Sequence, residues 1–433
     1  MERRFDPAGP LRGTLRPPPD KSISHRAALF GAMSGYARVE GYLDAADTRT
    51  TLAAVRALGG RVEVGPEDGG RRPMGLAVSI EGPGLRGPSS AEIDVGNAGT
   101  LLRILPGWLA GQEAGDWTLD GDASIRRRPV DRIVDPLRSM GATVECRDGR
   151  LAPLRIEGAA LSGIEYRLPV ASAQVKSCLL LAGLLAEGET VVVEGSPSRD
   201  HTERMLMSAG VELKVAGGRI SVRPEGALSI ESIEVPGDLS SAAFMLVAAL
   251  LVAGSEIELD GVGLNPTRSG LLAILGRMGA ELEVEERAAM DGEPQGTIRA
   301  RASKLAGTEV RGDEVPLAID ELPLVALAAC FAEGETVIRD AAELRHKESD
   351  RIATLCDGLG ALGAEVEPTA DGIAIRGGGG LRGGGLDAAG DHRMAMLGAV
   401  AGIASREGVG VRGFEAAEVS YPGFERDVAR LLE

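Results

Sequence analysis

Apolar positions along this chain follow two alternating rhythms. A polar turn opens an Ala/Leu-rich run of helical length, a glycine-marked loop follows, and a short strand closes on Gly or Asp. The pattern recurs over residues 24–41, 97–121, 172–195, 238–261, 320–340 and 391–413. Its strands are plainest in Glu189-Thr190-Val191-Val192-Val193 and Ser255-Glu256-Ile257-Glu258-Leu259. A second helix follows each strand and stops at a glycine: Gly59, Gly141, Gly210, Gly279 and Gly363. Each stop stands where a helix C-terminus needs a left-handed residue, and a further strand follows it. The sixth copy begins at Phe424 and runs to Glu433 inside its second helix.

These stops recur about every 75 residues, longer than the ~20–50 residues of a solenoid repeat. A βαβ-type unit with two helices and several strands accounts for that spacing. Six copies fit either one ring or two domains of three. A chain of 433 residues exceeds what one core usually serves, which favours two domains. The expected division puts residues 1–20 and 238–433 in one domain and 21–237 in the other. Its crossing points are Pro17-Pro18-Pro19-Asp20 and Val235-Pro236-Gly237-Asp238, where Pro-Gly reads as a hinge or as a plain turn.

Composition sharpens this picture. Aromatic residues are only 3% of the chain and glycines number 61, so the core must be Ala, Leu, Val and Ile with many tight turns. The formal net charge of -17 argues against nucleic-acid or acidic-membrane surfaces. An anionic small substrate fits only if basic residues gather locally. Cys146, Cys178, Cys330 and Cys356 are scattered without metal-ligand spacing, and a reducing cytoplasm is expected. Residues 1–20 are polar and proline-rich, without the apolar core of a signal peptide. The apolar run from Ala242 to Ala253 is too short to span a bilayer and reads as a buried helix.

The chemistry gathers where the first helix of each repeat begins. These starts are Lys21-Ser22-Ile23-Ser24-His25-Arg26, Gly96-Asn97-Ala98-Gly99-Thr100, Ser172-Ala173-Gln174-Val175-Lys176, Gly237-Asp238-Leu239-Ser240-Ser241, Ile319-Asp320-Glu321 and Asp391-His392-Arg393. Capping explains Ser, Asn and Asp there. It does not explain Lys, Arg and His at the positive end of a helix dipole, unless an anion binds there too. Further cations are Arg126-Arg127-Arg128, Arg199 and the stretch Arg345 to Arg351. Arginine grips carboxylate or phosphate bidentately, and lysine adds a point charge. Glu348 reads either as an ion-pair partner of its basic neighbours or as a proton-transfer group tuned by them. No HxxxH or CxxC spacing supports a metal. The glycine-rich run 377–385 lacks the order of a phosphate-binding loop and reads as a flexible surface loop.

Taken in order, these motifs resemble the EPSP synthase family of enolpyruvyl transferases from about Leu11 to Glu425. The strongest pieces are Asp20-Lys21-Ser22-Ile23-Ser24-His25-Arg26, Gly96-Asn97-Ala98-Gly99-Thr100, Arg128-Pro129, Ala171-Ser172-Ala173-Gln174-Val175-Lys176-Ser177, Arg199-Asp200-His201-Thr202-Glu203, Lys347-Glu348-Ser349-Asp350-Arg351 and Asp391-His392-Arg393. The resemblance implies an α/β fold: a two-domain inside-out α/β barrel, each domain of three βαβαββ-type units, with the active site in the cleft between domains. It implies transfer of the enolpyruvyl group of phosphoenolpyruvate to the 5-hydroxyl of shikimate 3-phosphate, with release of phosphate. Shikimate 3-phosphate would meet Lys21, Ser22, Arg26, Ser172, Ala173, Gln174, Arg199, Asp320 and Lys347. Phosphoenolpyruvate would meet Lys21, Gly99, Arg128, Gln174, Arg351 and Arg393. Asp320 would serve as base for the hydroxyl, and Glu348 with Lys21 would handle the proton at C3. No metal or organic cofactor is implied, and a monomer is expected.

Three departures stand out. Val419 occupies the place of a lysine that often contacts phosphoenolpyruvate, Ala173 replaces a phosphate-site serine, and the sixth unit is cut short. The related transferase acting on UDP-N-acetylglucosamine is the nearest rival. It usually carries a reactive loop cysteine and a Lys-Asn pair, whereas residues 111–122 here hold no cysteine and Lys21 precedes Ser22. A non-catalytic anion-binding scaffold is the rival of another class, and the joint presence of Lys21, Asp320, Glu348 and Arg393 speaks against it. Several motifs look like the glyphosate-tolerant class, which typically has alanine where Gly99 stands here. Inhibition by glyphosate is therefore expected.

Overall fold

The computed structural model describes residues 2–66 and 75–433. Its contacts group the chain into two compact units, Met1–Pro18 with Pro236–Ala288 and Pro294–Glu433, and Pro19–Val235 with Ala289–Glu293. The short segment joins the second unit because its polar groups are used there. Glu293 Oε1 lies 2.7 Å from His201 Nδ1, Asp291 Oδ2 accepts the Glu234 N–H at 2.7 Å, and the Gly292 carbonyl accepts from Arg204 at 2.8 Å.

The middle repeat of the second unit shows the plan. Strand Ala91–Asp94 leads through helix Gly99–Ala110 to strand Asp116–Asp120, its parallel neighbour. Helix Asp131–Ser139 then leads to the hairpin of Thr143–Arg147 and Leu151–Glu157, whose second strand pairs antiparallel with Asp116–Asp120. The same βαβαββ order runs from Glu165–Arg167 to Arg219–Val222. The first repeat takes its leading strand from the far end of the unit: Ser232–Glu234 pairs parallel with Tyr36–Tyr42, Ser232 opposite Arg38.

The first unit also draws strands from the start of the chain. Arg12–Leu15 pairs parallel with Glu256–Gly263 and serves as the leading strand of that repeat. Glu2–Phe5 pairs antiparallel with Val409–Arg412, in the place that the second hairpin strand takes in the middle repeat of the other unit. Among the described residues, its sheet has three strands and the other five have four. All five glycine stops have the positive φ that the sequence predicted, from 86° at Gly210 to 100° at Gly141.

Beyond their first turns the leading helices are buried on nearly all sides, which their largely apolar composition allows. In Leu239–Leu251 every residue but Leu251 is buried, and in Leu322–Phe331 every residue but Phe331. With few rings available, Ala and Gly let these helices approach closely. The tightest approach is Gly107, where a Cβ would fall 2.0 Å from the Cys178 carbonyl oxygen of helix Ala173–Gly183. Burial accordingly pushes the Cys178 thiol pKa up. Among the described residues, no helix is long and apolar enough to cross a membrane.

Gly107→Ala should therefore cost about 3 kcal/mol, the upper range for overpacking, because backbone must move. Gly276→Ala, at an exposed helical site where a Cβ meets nothing within 4 Å, should instead stabilise by roughly 0.5–1 kcal/mol. Urea midpoints of the two variants check this, and equal midpoints would refute the packing account.

Candidate active site

In the second unit, three leading helices bring their first turns together. Helix Lys21–Ser34 is capped by Asp20, which accepts the Ile23 N–H at 2.8 Å. Lys21 Nζ pairs with Asp47 at 3.3 Å. One turn on, Arg26 is buried and reaches across the unit: Nε donates to Thr202 Oγ1 at 2.7 Å and Nη2 to Ser177 Oγ at 2.9 Å. Its Nη1 donates to the Ser22 carbonyl at 3.0 Å. Burial lowers the Arg26 pKa to about 10, opposed by Glu203 and Asp20 and assisted by the half-buried Arg199. His25 is buried beside it, 2.6 Å from Thr51 Oγ1. Burial first, then Lys21 and Arg26, lower its pKa to about 3, so it is neutral at pH 7.

The other two helices meet at Gly99 and Gln174. Gln174 Nε2 donates to Thr100 Oγ1 at 3.1 Å, and its Oε1 accepts from Arg103 Nη1 at 3.2 Å. Arg128 donates to Asn97 Oδ1 at 3.1 Å and Ser124 Oγ at 3.3 Å, while Asn97 Nδ2 donates to Asp122 at 2.7 Å. A Cβ on Gly99 would lie 3.0 Å from both Arg103 Nη1 and Arg128 Nη1, so two guanidinium groups flank this α-carbon. Ser172 caps its helix, accepting the Val175 N–H at 3.4 Å, and the Ala173 carbonyl accepts from Ser177 at 2.6 Å. Lys176, from the same motif, is sequestered at 1% exposure, with Glu203 at 2.6 Å and Glu194 at 2.8 Å. Burial raises the Glu203 pKa against the pull of that lysine.

In the first unit the starts of two helices converge on Arg351, which is 1% exposed. Its Nε donates to Asp391 Oδ2 at 2.8 Å, Nη1 to Asp320 Oδ1 at 3.1 Å, and Nη2 to Glu348 Oε2 at 2.5 Å. Burial works against its charge, but Asp391, Glu348 and Asp320 more than offset it and raise its pKa. Burial likewise opposes the Asp391 carboxylate, yet Arg351 leaves its pKa below the usual value. Asp320 also faces Lys347 at 3.4 Å and Arg393 at 3.9 Å, and its carbonyl accepts from Arg393 at 2.9 Å. Glu321, buried behind it, accepts from Arg393 at 3.3 Å and from the Ser240 hydroxyl.

The structure thus brings Gly99, Arg128 and Gln174 into one cluster, and Asp320, Lys347, Glu348, Arg351 and Arg393 into another. Lys21 and Arg26 sit on one helix with Ser22 between them. Two residues lie differently from a simple display of cations. Arg26 is buried among hydroxyls, and Arg351 is ringed by three carboxylates. Glu348 is an ion-pair partner here, one of the two readings open in the sequence. The sequence reading passed over Arg103, Asp47 and Asp391 as site residues. Arg103 had a usable signal: four residues beyond Gly99, it lies one helical turn along the same face. Asp47 had none beyond an acidic residue in the first turn of its helix, and Asp391 had only its capping place in the Asp391-His392-Arg393 motif.

The EPSP synthase family, described as EPSP synthase (3-phosphoshikimate 1-carboxyvinyltransferase), matches residues 5–428. The 3-phosphoshikimate 1-carboxyvinyltransferase of Desulfitobacterium hafniense is 49% identical over 434 residues, covering 99% of this chain and 98% of that one. The enzyme of the same name from Thermus thermophilus is 50% identical over 431 residues, covering 99% and 98%. A solved structure of EPSP synthase from Acinetobacter baumannii superposes with a TM-score of 0.86 at 43% identity, covering 99% of this chain and 98% of that one. With a match that runs nearly end to end, this chain belongs to the EPSP synthase family.

Proposed function

We propose that this chain transfers the enolpyruvyl group of phosphoenolpyruvate to the 5-hydroxyl of shikimate 3-phosphate and releases phosphate. The family match over residues 5–428 carries this reading. The reaction protonates C3 of phosphoenolpyruvate while the hydroxyl oxygen adds to C2, giving a tetrahedral intermediate. Loss of phosphate from C2 and of a proton from C3 then restores the double bond. Both substrates and the intermediate are highly anionic. Fixed cations aimed at such charge supply the preorganised electrostatic stabilisation that often dominates catalysis.

Shikimate 3-phosphate engages Lys21, Ser22, Arg26, Ser172, the Ala173 backbone, Gln174, Arg199, Asp320 and Lys347. Phosphoenolpyruvate engages Lys21, Gly99, Arg128, Gln174, Arg351 and Arg393. These residues come from both units. Asp320 takes the hydroxyl proton, and Glu348 with Lys21 handles the proton at C3. The two carboxylates share the Arg351 guanidinium, at 3.1 and 2.5 Å, which fixes both. Its planar fork suits that task better than a lysine would. The chain acts as a monomer, and its four free cysteines suit a reducing cytoplasm.

Phosphate release tests the reading directly. Release should require both substrates, and UDP-N-acetylglucosamine should not replace shikimate 3-phosphate; release with that nucleotide sugar would favour the rival transferase. Asp320→Ala should keep part of the shikimate 3-phosphate affinity yet lower turnover by about 10²–10⁴-fold, the usual scale for a lost general base. Glu348→Gln should behave similarly and slow exchange of solvent protons into the phosphoenolpyruvate methylene. Near-normal rates for both variants would overturn these roles.

Gly99 leaves room beside Arg103 and Arg128 that a methyl group would fill. Glyphosate should therefore inhibit competitively with phosphoenolpyruvate, and Gly99→Ala should raise its inhibition constant more than the phosphoenolpyruvate KM. Native enzyme indifferent to millimolar glyphosate at low phosphoenolpyruvate would refute this.

A further inference from the structure

We infer that Arg103 is a positioning residue that holds the Gln174 side-chain amide in the orientation that offers an N–H to phosphoenolpyruvate. The inference rests on the function proposed above and adds a residue to it. A guanidinium only donates, so the Gln174 atom facing Arg103 Nη1 at 3.2 Å must be the carbonyl oxygen Oε1. The amide nitrogen then points to Thr100 Oγ1 at 3.1 Å, which spends one N–H and leaves the second for a ligand. Without Arg103, the two ends of the amide would be nearly equivalent toward a hydroxyl that can both donate and accept. A flipped amide would present an oxygen to an anionic substrate.

Arg103 is itself anchored for this task. Its Nη2 donates to the Pro129 carbonyl at 3.2 Å and its Nη1 also reaches the Gly99 carbonyl at 3.4 Å. Pro129 directly follows Arg128, so one guanidinium ties together the loop bearing Arg128, the helix start at Gly99 and the amide of Gln174. Lysine has the charge but no fork, so it cannot satisfy Gln174 and Pro129 together.

Steady-state kinetics of wild type, Arg103→Met, Arg103→Lys, Gln174→Ala and the Arg103→Met/Gln174→Ala double variant test this. Arg103→Met should raise the phosphoenolpyruvate KM about tenfold, as for a lost charged hydrogen bond, with kcat within about threefold, the pattern of lost uniform binding. Arg103→Lys should recover part of that KM. The double variant should be no worse than Gln174→Ala alone, because the effect of Arg103 passes through that amide. Penalties that multiply in the double variant, or a fall in kcat with KM unchanged, would overturn the inference. If Arg103→Met does not fold, the KM and kcat of Arg103→Lys decide in the same way. Wild type without phosphate release from both substrates would instead overturn the function on which the inference rests.

Discussion

The close approach of helices Gly99–Ala110 and Ala173–Gly183 at Gly107 is the constraint on which the second unit's site depends. With no side chain at Gly107, the first helix rests against the Cys178 carbonyl, where a Cβ would be 2.0 Å away. That contact lies two turns into one helix and about one turn into the other, and it sets how near their first turns come. Gln174 can reach Thr100 and Arg103 only because the helices are this close. A packing feature made of small residues thus fixes a polar site. The scarcity of aromatics follows from the same need, since bulky rings would hold the helices apart.

Charge is arranged differently in the two units. In the first, Arg351 is balanced by Asp320, Glu348 and Asp391, and Asp320 in turn faces Lys347 and Arg393. Such a network is costly to bury unless its geometry satisfies every member, and Asp391 serves also as a helix cap. In the second, a buried ion-pair group, Lys176 with Glu194 and Glu203, supports the fold behind the helix starts. The guanidinium groups of Arg103 and Arg128 instead meet amide, hydroxyl and carbonyl oxygens around Gly99. The first cluster is thus rich in carboxylates and the second in neutral acceptors.

Much of the fold was legible in the sequence. Helix and strand periods, the polar turn before each leading helix and the glycine after each second helix are local features. The five stops have the left-handed conformation that a helix end requires whatever its neighbours are. The motif residues were also legible as a group, because Lys and Arg at helix starts conflict with the dipole and so mark themselves out. Which of them would be displayed and which enclosed was not. Arg26 and Lys176 stand at helix starts in equally basic-looking motifs, yet each is buried, one among hydroxyls and one between glutamates.

The sequence by itself determined the sixfold repeat, the kind of most elements and the cations gathered at helix starts, since all three depend on spacing within a few helical turns. Only the tertiary structure decided which residues meet. Arg103 and Gln174 are 71 positions apart, and Arg351 and Asp391 are 40. Strand Ser232–Glu234 completes a sheet begun near residue 36, and Glu2–Phe5 completes one ending at Arg412. Such pairings carry no local signal, because a strand edge accepts any partner of matching register. The choice among partners is made by burying helices and sheets together, and only that packing brings a guanidinium to an amide.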